Sequence, residues 1–180
     1  MDLRRFLFPG GALLLGFLLG IWLGSAAAPQ PDPRCLALDA SYEIDGVSVP
    51  LTDGVHVTRA VPDAQSALRT AVERMPVRGC LHRQGGRCCA AVILSRQAGG
   101  AGVYVYVVAA IGDHNKLGHG VIGTNAVYLG DRVEVLDMTI ESEILTVRLF
   151  THVEGSAPDQ PPTEEIMRQF FLRGNELTEI

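Results

Sequence analysis

Apolar positions along this chain fall into short runs, most of them β-branched or aromatic, separated by glycine- or charge-marked breaks. The densest part is residues 99–153, where runs such as VYVYVVAAI and VEVLDMTI lie between GG, GD and ESE breaks. Short runs of this kind, with turn residues between them, predict strands. Tyr42 and Ile44 face Val47 and Val49 across Asp45-Gly46, the strongest short hairpin signal in the chain. Asp53-Gly54 predicts a second turn, followed by a short strand through Val55, Val57 and residues 60–61. Residues 90–94 predict a buried strand. Residues 103–111 are apolar almost throughout and predict a strand covered on both faces. Further strands are expected over residues 124–129, 132–140 and 144–153, with a final hairpin of 166–172 and 176–180 turning at Gly174-Asn175.

One stretch competes with this pattern. In residues 63–75, Ala67, Leu68, Ala71, Val72 and Met75 share a helical face and Asp63 could cap its start. Leu68, Thr70 and Val72 also alternate as a strand would. The helical reading is preferred here. The expected fold class is mainly β (α+β): an antiparallel sheet or meander with at most one or two short helices.

The N-terminus carries a different signal. Arg4 and Arg5 precede an uncharged apolar run over residues 6–23, then small residues at 25–28 and a proline-rich stretch. This is the layout of a secretory signal cut near Ala27, or of an uncleaved membrane anchor, since the run is about as long as the shortest spanning helix. The expected organisation is therefore residues 1–27 as signal peptide or N-terminal membrane anchor, 28–40 as a proline-rich linker, and 41–180 as a single β-rich exported domain. Membrane contact is expected only through the N-terminal segment, if it stays uncleaved.

Composition narrows the partners. The 180 residues carry a formal net charge of -5, and only 6% are aromatic. Nucleic-acid binding needs clustered Lys and Arg, and is not expected. The four cysteines, Cys35, Cys80, Cys88 and Cys89, read in an oxidising compartment as disulfide candidates. Adjacent strand side chains point oppositely, so Cys88 and Cys89 do not pair with each other. Cys80 joins one of them and Cys35 the other. The sharper alternative is a zinc shell of Cys80, His82, Cys88 and Cys89, with the right ligand types but no recognised spacing. His114, Lys116 and His119 form a candidate binding loop within residues 112–120, where Asp113 or His152 would have to complete any metal set. The plainer reading of that loop is a solvated turn. Arg132 is expected to pair with a carboxylate across the sheet, and Glu141 and Glu143 to be solvated at a hairpin tip. There is no phosphate-cradling loop and no Gly-x-Ser-x-Gly. No catalytic residue and no cofactor is expected.

Three segments, YEIDGVSVPLTDGV at 42–55, QAGGAGVYVYVVAA at 97–110 and GTNAVYLGDRV at 123–133, resemble a group of exported bacterial β-rich proteins of unknown function. The resemblance implies a secreted domain and assigns no catalytic residues. Members of that group place an acidic, calcium-type loop before the strand that begins here near Ala90. In this chain residues 80–89 hold no Asp or Glu, so a disulfide is expected to stiffen the loop instead. The function expected is a non-enzymatic binding or structural module of the cell envelope, with an envelope protein or glycan as partner. An envelope thiol- or metal-dependent enzyme using residues 80–89, and an inhibitor of a wall-degrading hydrolase presenting residues 112–120, are the alternatives.

Overall fold

The computed structural model describes residues 36–59, 66–74, 76–80, 88–112, 121–157 and 160–180. Within them the protein is mostly β. The strands in chain order are β1 (Ser41–Ile44), β2 (Val47–Pro50), β3 (Val55–Arg59), β4 (Ala67–Val72), β5 (Val77–Cys80), β6 (Cys88–Gln97), β7 (Tyr104–Gly112), β8 (Val121–Gly123), β9 (Val127–Asp131), β10 (Glu134–Glu141), β11 (Ile144–Thr151), β12 (Glu164–Arg173) and β13 (Glu176–Glu179). Helix among the described residues is confined to residues 36–37, and no helix there is long and apolar enough to cross a membrane. The expected N-terminal signal or anchor lies outside them.

These strands make three layers. A large sheet runs β3-β4-β6-β7-β8, with β5 also on β6 and β9 also on β7. One face packs on a meander of β10-β11-β12-β13, the other on the β1–β2 hairpin. Side chains alternate across a strand, and β6 and β7 use both sides. Ala91, Ile93, Val105, Val107, Ala109 and Ile111 join the core under the meander, with Leu145, Val147, Leu149 and Phe170. Ala90, Val92, Leu94, Tyr106, Val108 and Ala110 join the core under the hairpin, with Tyr42, Ile44 and Val49. The near-continuous apolar runs follow from this double burial.

Turn chemistry matches the sequence. Asp45 and Gly46 both take positive φ (53° and 76°), as do Asp53 and Gly54 (51° and 77°), the geometry of a two-residue hairpin loop. Ser142 and Glu143 do the same at 49° and 71°, without glycine. Residues 36–40, expected to be linker, already belong to the domain. Ala37 and Ala40 are buried in the hairpin-side core, and the Tyr42 hydroxyl donates to the Ala37 carbonyl at 2.8 Å.

Two expectations need correction. Residues 67–72 form a strand, not a helix: β4 pairs with β3 from Val55↔Ala71 to Arg59↔Ala67, and with β6 from Arg69↔Gln97 to Val72↔Leu94. Two neighbouring strands satisfy its backbone on both edges, which outweighs the alanine-rich helical pattern. Of the expected strand over 124–129 only 127–129 are strand, the start of β9; residues 124–126 separate it from β8, which ends at Gly123. The carboxylate that meets Arg132 at 2.8 Å is that of its own neighbour Asp131.

The rows on either side of β6 and β7 are interrupted, and each break sends a side chain to the meander. Between β4 and β5, Arg74 donates to the Leu136 carbonyl at 2.9 Å. That carbonyl sits where the β10–β11 register shifts between Val135 and Asp137. Between β8 and β9, the Asn125 side-chain amide donates to the Leu177 carbonyl (3.1 Å) and accepts from the Leu177 amide (2.7 Å). At the same break Thr124 Oγ1 accepts from Ala109 N at 2.9 Å, and β1 enters through a parallel bridge, Glu43↔Asn125. Gly123 makes room for it, since a Cβ there would come under 3.0 Å from the Ser41 carbonyl.

Asn125→Ala leaves the Leu177 amide and carbonyl without partners and is expected to cost about 1–3 kcal/mol in urea unfolding. Gly123→Ala should cost about 3 kcal/mol by pushing β1 away. Burial raises the Tyr42 phenol above the ordinary tyrosine value. A raised folded value gives stability that is complete below about pH 10 and lost as pH rises through the folded value. Tyr42→Phe should therefore flatten the alkaline limb of the stability profile.

Candidate functional site: a tyrosine-lined face

The β1–β2 hairpin covers only part of its side of the large sheet. Beyond its tip at Asp45 the same face continues uncovered. Even-numbered positions share that face across the ladder: Thr70 opposes Arg96, Arg96 opposes Tyr104, and Tyr106 opposes Tyr128. The result is an open basin of about 420 Å³ lined by Asp45, Leu68, Arg96, Ala98, Tyr104 and Tyr106.

Three of the chain's four tyrosines meet here. The Tyr106 and Tyr128 rings are 5.4 Å apart at 55°, and Tyr104 and Tyr128 are 6.3 Å apart at 50°. These are tilted contacts within the favourable range for aromatic pairs. Tyr106 is buried beneath, whereas Tyr104 and Tyr128 are 43% and 45% exposed, so two ring surfaces remain available to a ligand. Gly102 packs beside the Tyr104 hydroxyl. Arg168 donates to the Tyr128 carbonyl at 2.7 Å, fixing the backbone under that ring from the meander.

The rim is polar. Arg96 Nη1 meets Asp45 Oδ2 at 2.7 Å, and the Tyr106 hydroxyl lies 3.4 Å from the same carboxylate oxygen. Burial raises the Tyr106 phenol above its ordinary value, the Asp45 charge raises it further, and Arg96 opposes. Tyr128 is raised by burial, then by Asp131 and Tyr104. Both phenols are therefore neutral near pH 7, and the Arg96–Asp45 pair balances its own charge.

A second concavity of about 300 Å³ opens between the large sheet and the meander, lined in part by Glu73, Arg74, Ile93, Ser95, Val105 and Val135. Ser95 Oγ donates to the Glu73 carboxylate. Among the described residues lining this slot there is no histidine or lysine.

Among the described residues, none of the cysteines or histidines singled out by sequence lines either place. Cys80 ends β5, and Cys88 and Cys89 begin β6; Cys35, His82, His114, Lys116 and His119 lie outside the described residues. His152 follows β11, and neither buried ring nitrogen has a hydrogen-bond partner among the described residues. Asp131 is a corner-holder. Burial would raise its carboxyl, but the Val103 amide at 2.8 Å and Arg132 hold it below the usual range. Glu141 is exposed at the end of β10, next to the turn. No group of three or more His, Cys, Asp or Glu able to hold a metal occurs among the described residues.

The basin was missed because both tyrosines of the β7 run sit inside a stretch that reads as fully buried. The available signal was the Tyr-x-Tyr alternation itself, since two large polar-tipped side chains on one face need either partners or water.

Asp45→Asn removes a charge that raises the Tyr106 phenol. Ultraviolet titration of the variant should show a tyrosine shifted to lower pH than in the parent protein. No protein-family model, no curated protein and no solved structure matches this chain, so the reading of the basin rests on its geometry.

Proposed function

We propose that this protein is an exported, non-enzymatic binding module of the cell envelope, braced by disulfide bonding. Its partner sits on the tyrosine-lined half of the large sheet. The observation that carries this reading is the incomplete cover of that sheet. Two exposed rings and a self-neutralised ion pair stand on a rigid, doubly packed ladder, which is how a scaffold presents a preformed site. The basin holds binding chemistry and no nucleophile–base pair.

The backbone register also favours one pairing of the thiols. Cys80 and Cys88 are direct partners of the β5–β6 ladder, while Cys89 opposes Gly79. Antiparallel partners have Cα atoms about 4.5–5.5 Å apart, inside the span of about 4.4–6.8 Å that a disulfide accepts. Closing so short a loop contributes about 2–3 kcal/mol. The two thiols pass two electrons and two protons to a disulfide-bearing oxidase of the envelope, whose own disulfide is reduced to two thiols.

Two measurements test the reading. Cell fractionation should place the protein outside the cytosol, and a non-reducing peptide map should link Cys80 to Cys88. Cytosolic protein with free thiols would overturn both parts. Retention on sedimented envelope should also fall in a Tyr104→Ala/Tyr128→Ala variant whose melting temperature stays close to the parent's. Retention that ignores both rings would remove the basin from the function.

A further inference from the structure

We infer that the basin is a subsite for an uncharged, hydroxyl-rich sugar chain, with pyranose rings laid on Tyr104 and Tyr128. This rests on the binding-module reading and names its ligand class.

The exposed faces of Tyr104 and Tyr128 are electron-rich. One face of a pyranose ring carries several polarised C–H bonds, which complement such a surface by weak X–H···π contacts. The hydroxyls of the same sugar project around its edge. There they meet donors and acceptors together: the Arg96 guanidinium donates, the Asp45 carboxylate accepts, and the phenol hydroxyls do both. Neutral phenols near pH 7 keep their donor protons for this purpose.

Other occupants fit less well. A quaternary ammonium held between two rings needs faces roughly 8–10 Å apart, because cation–π attraction acts within about 6 Å of each centroid. The tyrosine pairs here are 5.4 and 6.3 Å apart and tilted, so they touch each other and enclose no cation. A phosphate or an anionic lipid headgroup needs an unspent cation, but Arg96 is already held by Asp45 at 2.7 Å. An acyl chain needs an enclosed apolar slot. Leu68 and Ala98 are the only aliphatic residues lining this open basin among the described residues. A stable protein interface takes about 20–30 residues from each side, whereas six of the described residues line the basin, with Tyr128 beside them. A sugar or two matches that footprint, and a chain of them supplies affinity through repeated weak contacts.

The test uses the exported protein and three uncharged probes: cello-, malto- and chito-oligosaccharides. Isothermal calorimetry reads affinity, and tyrosine ring signals in nuclear magnetic resonance read location. Saturable binding of at least one probe is expected, with the Tyr104 and Tyr128 signals moving. Tyr104→Ala or Tyr128→Ala should weaken it about tenfold. Tyr104→Phe keeps the ring face and should bind nearly as well as the parent. Thermal unfolding checks that each variant folds.

Binding that is indifferent to both alanine substitutions would overturn the inference. So would silence towards all three probes while phosphatidylglycerol vesicles or an envelope protein still bind through the same tyrosines. That second outcome would leave the binding-module reading standing. A dimer that dissociates on Tyr104→Ala would assign the face to a second copy of this chain and overturn the sugar. Absence of every tyrosine-dependent interaction would end both readings.

Discussion

A buried peptide group with no partner costs about as much as several good contacts supply. That cost shapes this protein at the two places where a row flanking β6 and β7 is broken. Asn125 answers it at one break. Its amide has one donor side and one acceptor side, and Leu177 offers one carbonyl and one amide at 3.1 and 2.7 Å. No other uncharged side chain of that length except an amide supplies both. Around it, Thr124 stands in for a missing ladder bond and β1 docks against the gap. All three layers therefore meet within residues 123–126. At the other break, Arg74 does a simpler version of the same job for the bulged Leu136 carbonyl.

Much of this was legible in the sequence, and the reasons differ by element. The Asp-Gly turns announced themselves because positive φ at consecutive residues admits few side chains. The uniform apolar run of β7 announced burial on both faces, and the structure places both cores there. β4 was not legible. Its alanine-rich pattern serves either period, and the decision came from β3 and β6, which lie elsewhere in the chain. β5 was hidden for a related reason. Val-Arg-Gly-Cys has little strand character alone, but Gly79 is the residue that lets Ile140 of the meander approach the sheet. The split at residues 124–126 was hidden because Thr and Asn there serve long-range partners, and local pattern carries no trace of a partner 52 residues away.

The candidate site was less legible than the fold, because its residues are ordinary strand residues seen from an unusual side. Tyr106 belongs to the hairpin-side core and to the basin at once. What converts core into site is where the cover ends. Strands rise about 3.3 Å per residue, so the four-residue arms of the hairpin span roughly 13 Å against roughly 30 Å for β7. The hairpin cannot shield the whole ladder, and its turn residue Asp45 marks the boundary by pairing with Arg96.

This geometry ties the tyrosine-lined face to the fold's central joint. Asp45 stands where it does because β1 is held by the Glu43–Asn125 bridge, and Tyr128 stands two residues beyond Ala126, whose amide donates to the Glu43 carbonyl at 2.7 Å. The opposite wall, Tyr104 and Tyr106, belongs to the most deeply packed ladder in the molecule. A ligand spanning the rim and the rings would therefore touch the hairpin, the break and the central strands together. Binding would then oppose the departure of the hairpin, the smallest layer and the one with the least core of its own. Affinity and stability should be linked through that layer, since whatever loosens β1 also moves Asp45 away from the tyrosines.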